Sequence, residues 1–253
     1  MYKSFTASEY RQHFGLGPEY RVDGMLVYGS WNRGRHLSLL EAALGDGAQT
    51  KSLPESLDRV TEFVVNDKRY WFNVSVGGAL LCDYLHLACL FGSQANILLG
   101  SCGGLDARIG ACNFIVPTFS FGNESTTRSY GREVFDHRHL PDEKLSVRLA
   151  KRIRPEFKVW RGPTVTNQAM MAETLDDIQT WSKDGYLGVE MEAATVFAVS
   201  RHFAVASAAL LFVGDNLIRG ESVLHQAFKD SRSRRELVRT EQYRVAVEEL
   251  LGG

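Results

Sequence analysis

The sequence predicts a single α/β domain, with a central mixed β-sheet flanked by α-helices. Short apolar runs at residues 24–28, 95–99 and 204–213 read as buried strands. Helical stretches at residues 79–91, 141–152 and 174–183 fall between them, the alternation that builds a sheet with helices on its faces. The chain has 253 residues, 44% of them hydrophobic, enough to bury the core of one large domain. No internal repeat or low-complexity tract interrupts it.

Composition narrows the function classes. A net charge of -1 exerts no whole-chain pull toward nucleic acid or an anionic membrane, so an acidic ligand needs a local basic site. The four cysteines, Cys82, Cys89, Cys102 and Cys112, form no C-x-x-C pair, and no histidine cluster completes a zinc pattern. They read as reduced, buried thiols of a cytosolic protein. The N-terminal residues lack the apolar core of a signal peptide, and no apolar run reaches membrane-spanning length. The expectation is therefore a cytoplasmic protein without membrane or nucleic-acid partners.

Taken in order, residues 1–22 are polar and aromatic, broken by Gly15, Gly17 and Pro18, and predict an N-terminal arm with one short helix ahead of a domain at 23–253. The strand at 24–28 ends in Gly29, and a helix is expected over 36–44. A glycine turn between strand and helix exposes backbone N–H groups, and Arg33 or Arg35 would add charge for an anion; the same turn also fits a solvated basic loop. Residues 45–57 read as a loop, and 60–65 and 70–76 as strands around a turn at Asn66-Asp67. Gly77-Gly78 opens the apolar helix at 79–91.

The strand at 95–99 runs into Gly100-Ser101, where glycine lets the backbone approach a ligand and Ser101 offers a hydroxyl and an N–H to an oxyanion; a tight turn is the plain alternative. Residues 112–117 form another strand, and the polar stretch 118–136 reads as a flap over a site. His137-Arg138-His139 is an H-x-H in a charged loop, a pattern more often surface than metal site. A strand is expected at 157–160. Residues 188–203 read as a buried helix with Glu190 and Glu192 in its first turn, where the positive end of the helix favours carboxylates. Two residues apart on a regular helix, these acids face different sides. Asp215 follows the strand at 204–213, beyond whose C-terminal end open α/β sheets usually bind ligands; it also suits a turn or a helix cap. Residues 231–251 mix signs of charge and read as a solvated helix.

Three segments together resemble one family. Val189-Glu190-Met191-Glu192-Ala193-Ala194 resembles the ribose-binding signature of the nucleoside phosphorylase-I superfamily, which includes purine nucleoside phosphorylases, uridine phosphorylases and hydrolytic nucleosidases. Gly100-Ser101-Cys102-Gly103-Gly104-Leu105 resembles its glycine-rich central motif, and Phe212-Val213-Gly214-Asp215-Asn216 its base-site segment. They occur in family order, and the resemblance covers roughly residues 23–250. It implies a sheet partly closed into a barrel and cleavage of an N-glycosidic bond, with inorganic phosphate as co-substrate and no cofactor or metal. It implies that Glu190, Met191 and Glu192 hold the ribose, that Gly29, Arg33 and Ser101 hold phosphate, and that Cys102, Gly103 and Gln168 line the base pocket. It implies that Asp215 is the catalytic acid toward a purine, and that the chain is a homo-oligomer, dimer to hexamer. The sequence departs from the family at three places. Leu98 stands where phosphorolytic relatives usually carry Arg, as hydrolytic members also lack it; Ser30 replaces the usual Asp after Gly29; and no Arg follows Gln168, which argues against uracil. The expectation is phosphorolysis of a purine nucleoside to free base and ribose 1-phosphate, with a hydrolytic nucleosidase or a binding-only relative as alternatives.

Overall fold

A computed structural model of the chain describes residues 2–130 and 137–252. The arm carries α1 (Ala7–His13), after which come β1 (Gly24–Gly29), α2 (Arg33–Leu44), β2 (Gln49–Ser52), β3 (Val60–Val65), β4 (Lys68–Ser75) and α3 (Gly78–Leu90). The middle of the chain forms β5 (Ala95–Gly104), β6 (Phe114–Asn123), β7 (Arg138–His139), α4 (Glu143–Arg152), β8 (Val159–Asn167) and α5 (Leu175–Lys183). The last part is β9 (Gly188–Glu190), α6 (Ala193–His202), β10 (Ala206–Asn216), α7 (Gln226–Asp230) and α8 (Arg232–Leu250).

Local chemistry sets many of these boundaries. Thr6 and Glu9 exchange side-chain and backbone bonds in a capping box that starts α1. Asp142 caps α4 by accepting the Leu145 N–H at 2.7 Å. Asn66 and Asp67 sit at φ 51° and 60°, the left-handed pair that turns β3 into β4 as a hairpin.

The sheet runs β10-β6-β8-β9-β5-β1-β4-β3-β2, and β10 also pairs with β5. That extra pairing closes β10, β6, β8, β9 and β5 into a five-stranded ring, the partial barrel expected from the resemblance, with β1, β4, β3 and β2 as an open wing. The parallel neighbours β1, β5 and β10 bring their C-terminal ends to one side. One apolar layer packs under α3 and α6 around Met25, Leu98, Phe197 and Leu211, and the opposite layer holds Tyr28, Leu99, Phe212 and Tyr243 under α8. The arm lies on its own chain: Tyr20 donates its hydroxyl to Glu62 and accepts the Trp71 indole N–H at 2.8 Å.

Several expected boundaries move. The strands at 95–99, 112–117, 157–160 and 204–213 all extend further, so the glycine-rich motif and Asp215 lie within β5 and β10 rather than in turns beyond them. Pairing through the ring explains this, since β5 is hydrogen-bonded to β10 as far as Gly104. The expected loop at 45–57 contains β2, and α2 begins at Arg33 because Asn32 caps it through the Arg35 N–H at 3.1 Å. The first third of the expected flap is the end of β6, and residues 131–136 of that flap lie outside the described residues. His139 is buried in β7 rather than on the surface.

Two corrections matter for function. The segment 188–203 is not one helix, because its first residues belong to β9. The C-terminal helix is not solvated all round: Arg235, Val238, Gln242, Tyr243 and Val245 are buried along one side of α8.

Candidate active site

The ends of β1, β5, β9 and β10 surround a cleft of about 390 Å³, a volume suited to a small molecule. Gly29, Ser101, Cys102, Gly103, Glu190, Met191, Glu192 and Asp215 all line it. The structure thus brings together every expected site residue except Arg33 and Gln168.

The junction between β9 and α6 positions the two glutamates. Gly188 and Val189 pair with Gly104 and Gly103 of β5, and Glu190 pairs with Thr166 of β8. The chain then leaves the sheet, and α6 starts at Ala193. Glu190 closes this break. Its Oε2 accepts the backbone N–H groups of Glu192 at 2.7 Å and Ala193 at 2.6 Å, and its Oε1 accepts hydroxyls from Ser120 at 3.3 Å and from Thr166. Four protein donors thus occupy a buried carboxylate, so Glu190 holds the helix start.

Glu192 is also buried but engaged differently. Its Oε1 accepts the Gly77 N–H at 2.7 Å, and a Cβ added to Gly29 would lie 2.5 Å from its Oε2. Gly29 is therefore glycine because a carboxylate packs directly on its backbone. Burial, followed by the neighbouring Glu190 charge, pushes the Glu192 carboxyl up to about 8. A polar ligand that donates hydroxyls to it would favour its ionised form.

Asp215 sits at the end of β10, where the register with β5 shifts between Val213 and Asp215. Burial and then Glu221 push its carboxyl up to about 6, against backbone bonding and Arg235, which favour the ionised form. The next residue fixes this geometry. Asn216 is fully buried, donates its amide to the carbonyls of Asp106 at 2.9 Å and Ile109 at 2.7 Å, and accepts the Arg219 N–H at 3.0 Å. Cys102 lies beneath, its thiol donated to the Phe212 carbonyl at 3.6 Å and pushed well up by burial and by Glu190 and Asp215.

Arg33 turns away from the cleft. It begins α2, and its guanidinium donates to the Asp58 carbonyl and, at 3.2 Å, to the Thr61 hydroxyl. Gln168 donates its amide to Glu124 at 3.2 Å and Thr126 at 3.4 Å, and it too does not line the cleft. The segment 167–173, which the family resemblance implies contributes to the base pocket, lines the cleft through Met170, Met171 and Glu173 instead, and α8 adds Arg235 and Arg239, which the sequence did not single out. A signal for the arginines existed. Arg235, Val238, Gln242 and Val245 recur at helical spacing and define the buried side of α8. Among the described residues no group of three or more His, Cys, Asp or Glu could hold a metal ion, and no helix is long and apolar enough to cross a membrane.

Comparison with known proteins shows the family. A guanosine phosphorylase of Halorubrum lacusprofundi is 28% identical over 130 residues, 51% of this chain and 53% of that protein. A DeoD-type purine nucleoside phosphorylase of Clostridium beijerinckii is 26% identical over 160 residues, 62% of this chain and 64% of that protein. The matched segments thus span between half and two thirds of these relatives. In fold, the chain is similar to the crystal structure of uridine phosphorylase from Vibrio fischeri, with a TM-score of 0.71, 20% identity and 92% of each chain covered. The sequence model of the phosphorylase superfamily matches residues 79–241, which include the glycine-rich strand, the β9–α6 junction and Asp215. The chain belongs to the phosphorylase superfamily.

Proposed function

We propose that the protein cleaves the N-glycosidic bond of a purine nucleoside by phosphorolysis, releasing free base and ribose 1-phosphate. The observation that carries this reading is Asp215, a carboxyl pushed up to about 6 in the same cleft as the buried Glu192. Breaking the bond between N9 and C1′ sends its electron pair to the purine. Asp215 gives its proton to N7, which neutralises the leaving base. An oxygen of hydrogen phosphate bonds to C1′ as positive charge develops there, and the phosphate proton later returns to Asp215. Glu192, as carboxylate, accepts the 2′ and 3′ hydroxyls and fixes the sugar, while Met191 packs against the ribose. Gly29 and Ser101 face the phosphate. Inorganic phosphate is the co-substrate, and no metal or redox cofactor enters these steps. We further propose that the protein works as a cytoplasmic homo-oligomer, in keeping with the family resemblance and its four free cysteines.

Hydrolysis is the second reading, favoured by Leu98, which is apolar and fully buried where phosphorolytic relatives carry Arg. The test is release of free base from inosine, guanosine, adenosine, methylthioadenosine and uridine, with and without phosphate. Phosphate-dependent release with ribose 1-phosphate formed is the expected result. Phosphate-independent release with free ribose would make the protein a nucleosidase, and release from uridine alone would overturn the purine assignment.

A further inference from the structure

Leu98 lies in the middle of β5, between Val27 of β1 and Ala209 of β10, with no exposure to solvent or to the cleft. Arg33 is committed to Asp58 and Thr61. Neither of the two positions expected to supply a cation to phosphate therefore does so, yet two guanidiniums reach the cleft from α8. We propose that Arg239 is the residue that binds a phosphate oxyanion beside Ser101 and Gly29, doing the work of the guanidinium that β5 lacks at Leu98. The choice of inorganic phosphate as ligand rests on the phosphorolytic reading above.

The placement follows from how α8 is anchored. The Gln242 amide donates at 2.8 Å to the carbonyls of Gly100 and Leu210, and the Tyr28 hydroxyl donates to Gln242 at 3.2 Å. This ties α8 to β1, β5 and β10 one residue before Gly29 and Ser101. Arg239, three residues earlier, projects from the same side of the helix toward the strand ends. Its guanidinium lies 5.2 Å from the centroid of the Phe212 ring. Phe212 is the register partner of Ser101, so their side chains leave the sheet on one face, the face that α8 covers.

The local charge calls for an anion. Arg35 and Arg239 share one carboxylate, Glu236, which is only partly buried. Burial, and then the Arg239 charge, holds both Arg35 and Arg235 below the usual guanidinium range. Positive charges that crowd one another around a single acid gain from a doubly negative ligand. Arg235 differs from Arg239 in being fixed already: it is 6% exposed, lies 3.6 Å from the Phe228 ring centroid, and donates to the Phe228 carbonyl and Ser231 hydroxyl. Arg239 is hydrogen-bonded at 3.1 Å to Glu236, a carboxylate it shares with Arg35, and can exchange that contact for a bidentate one to phosphate.

Calorimetric titration of the full chain with inorganic phosphate, in buffer free of sulfate and phosphate, tests this without requiring turnover. Arg239→Gln should weaken binding by about tenfold or more, and Arg239→Lys, which keeps the charge but not the fork, should fall between. Arg234→Ala, an exposed cation on the same helix, should stay within about twofold. Melting curves establish that each variant folds, and Arg239→Lys serves if Arg239→Gln does not. Wild-type affinity in Arg239→Gln overturns the proposal. So does a wild type that binds no phosphate but binds inosine 5′-monophosphate through Arg239, since the cation then serves the nucleotide's own phosphate. Phosphate binding that depends on Arg239, alongside base release that ignores phosphate, keeps the binding site and sinks phosphorolysis instead.

Discussion

The β9–α6 junction and the first half of α8 both bring charge to one cleft, by opposite means. At the junction, two carboxylates lie within three consecutive residues, and the protein's own N–H and hydroxyl groups occupy the first while the second accepts from backbone alone. On α8, arginines are spread over a helix, and their charge exceeds what the neighbouring acids answer. The contrast teaches that burial does not rank a charged residue's role. Glu190 and Glu192 are 4% and 5% exposed, yet Glu190 accepts from four backbone and hydroxyl donors whereas Glu192 accepts from backbone N–H groups alone.

The largest effect that would break the comparison is loss of Glu192. Glu192→Ala should lower kcat/KM on every nucleoside by about a hundredfold or more, with the melting temperature little lowered, since removing an acid that burial disfavours costs the fold little. Near-normal turnover would remove Glu192 from the sugar site. Next is Asp215→Asn, expected to cost about a hundredfold on purine nucleosides and far less on a substrate whose leaving group needs no proton. Equal loss on both would take the acid role away.

The same variant should change the pH profile of kcat/KM. In the proposed mechanism Asp215, pushed up to about 6, works protonated, and Glu192, pushed up to about 8, works ionised. Below pH 6 activity falls as Glu192 protonates, between 6 and 8 the two opposing fractions cancel, and above 8 it falls as Asp215 deprotonates. Asp215→Asn should abolish the alkaline fall and extend the acid-side rise from 6 to about 8. An unchanged alkaline limb would assign it to another group.

The sequence made the junction legible and hid α8, for physical reasons. Residues 189–194 are contiguous, so a short signature records chemistry built within one turn of chain. Even there the helix expectation failed at its first residues, because apolar Gly188 and Val189 fit β9 as well as a helix and only pairing with β5 and β8 decides. Asp215 was legible because it follows an apolar strand. Arg33 misled: a basic residue after a glycine turn looks like an anion ligand until α2 aims it at β3. On α8 the buried side contains Arg235, Glu241 and Gln242, so its composition imitates a solvated helix, and its mixed charges conceal the apolar spacing of Val238, Tyr243 and Val245.

Glu190 sharpens the comparison through stability. Glu190→Gln replaces a carboxylate that accepts from four donors with an amide that brings N–H groups into the same space. We expect a loss of about 2 kcal/mol and a fall in melting temperature of roughly 4–8 °C. Turnover of the folded fraction should change less than in Glu192→Ala. A melting temperature equal to that of the wild type would mean that Glu190 does not hold the junction.

The smallest effect isolates Glu192 in the folded protein. Its carboxyl binds a proton up to about pH 8 when folded but only near 4.5 when unfolded, so its contribution to stability is fully present below 4.5 and is lost as pH rises through 8. Asp215 acts in the same direction but only up to about 6. His36, held down to about 3 by burial and by Arg239 and Arg35, acts in the opposite direction and only below its ordinary 6.5, as does the buried His86. Between pH 6.5 and 8 Glu192 therefore dominates these groups, and stability should fall by about 2 kcal/mol, at most about 1.4 kcal/mol per pH unit. Glu192→Gln should flatten that slope. A saturating nucleoside should flatten it too, because hydroxyls that donate to the carboxylate favour its ionised form. A wild-type melting temperature constant over this range would show that Glu192 is already ionised without a nucleoside, and the rise toward 8 expected of Asp215→Asn would then have to vanish with it.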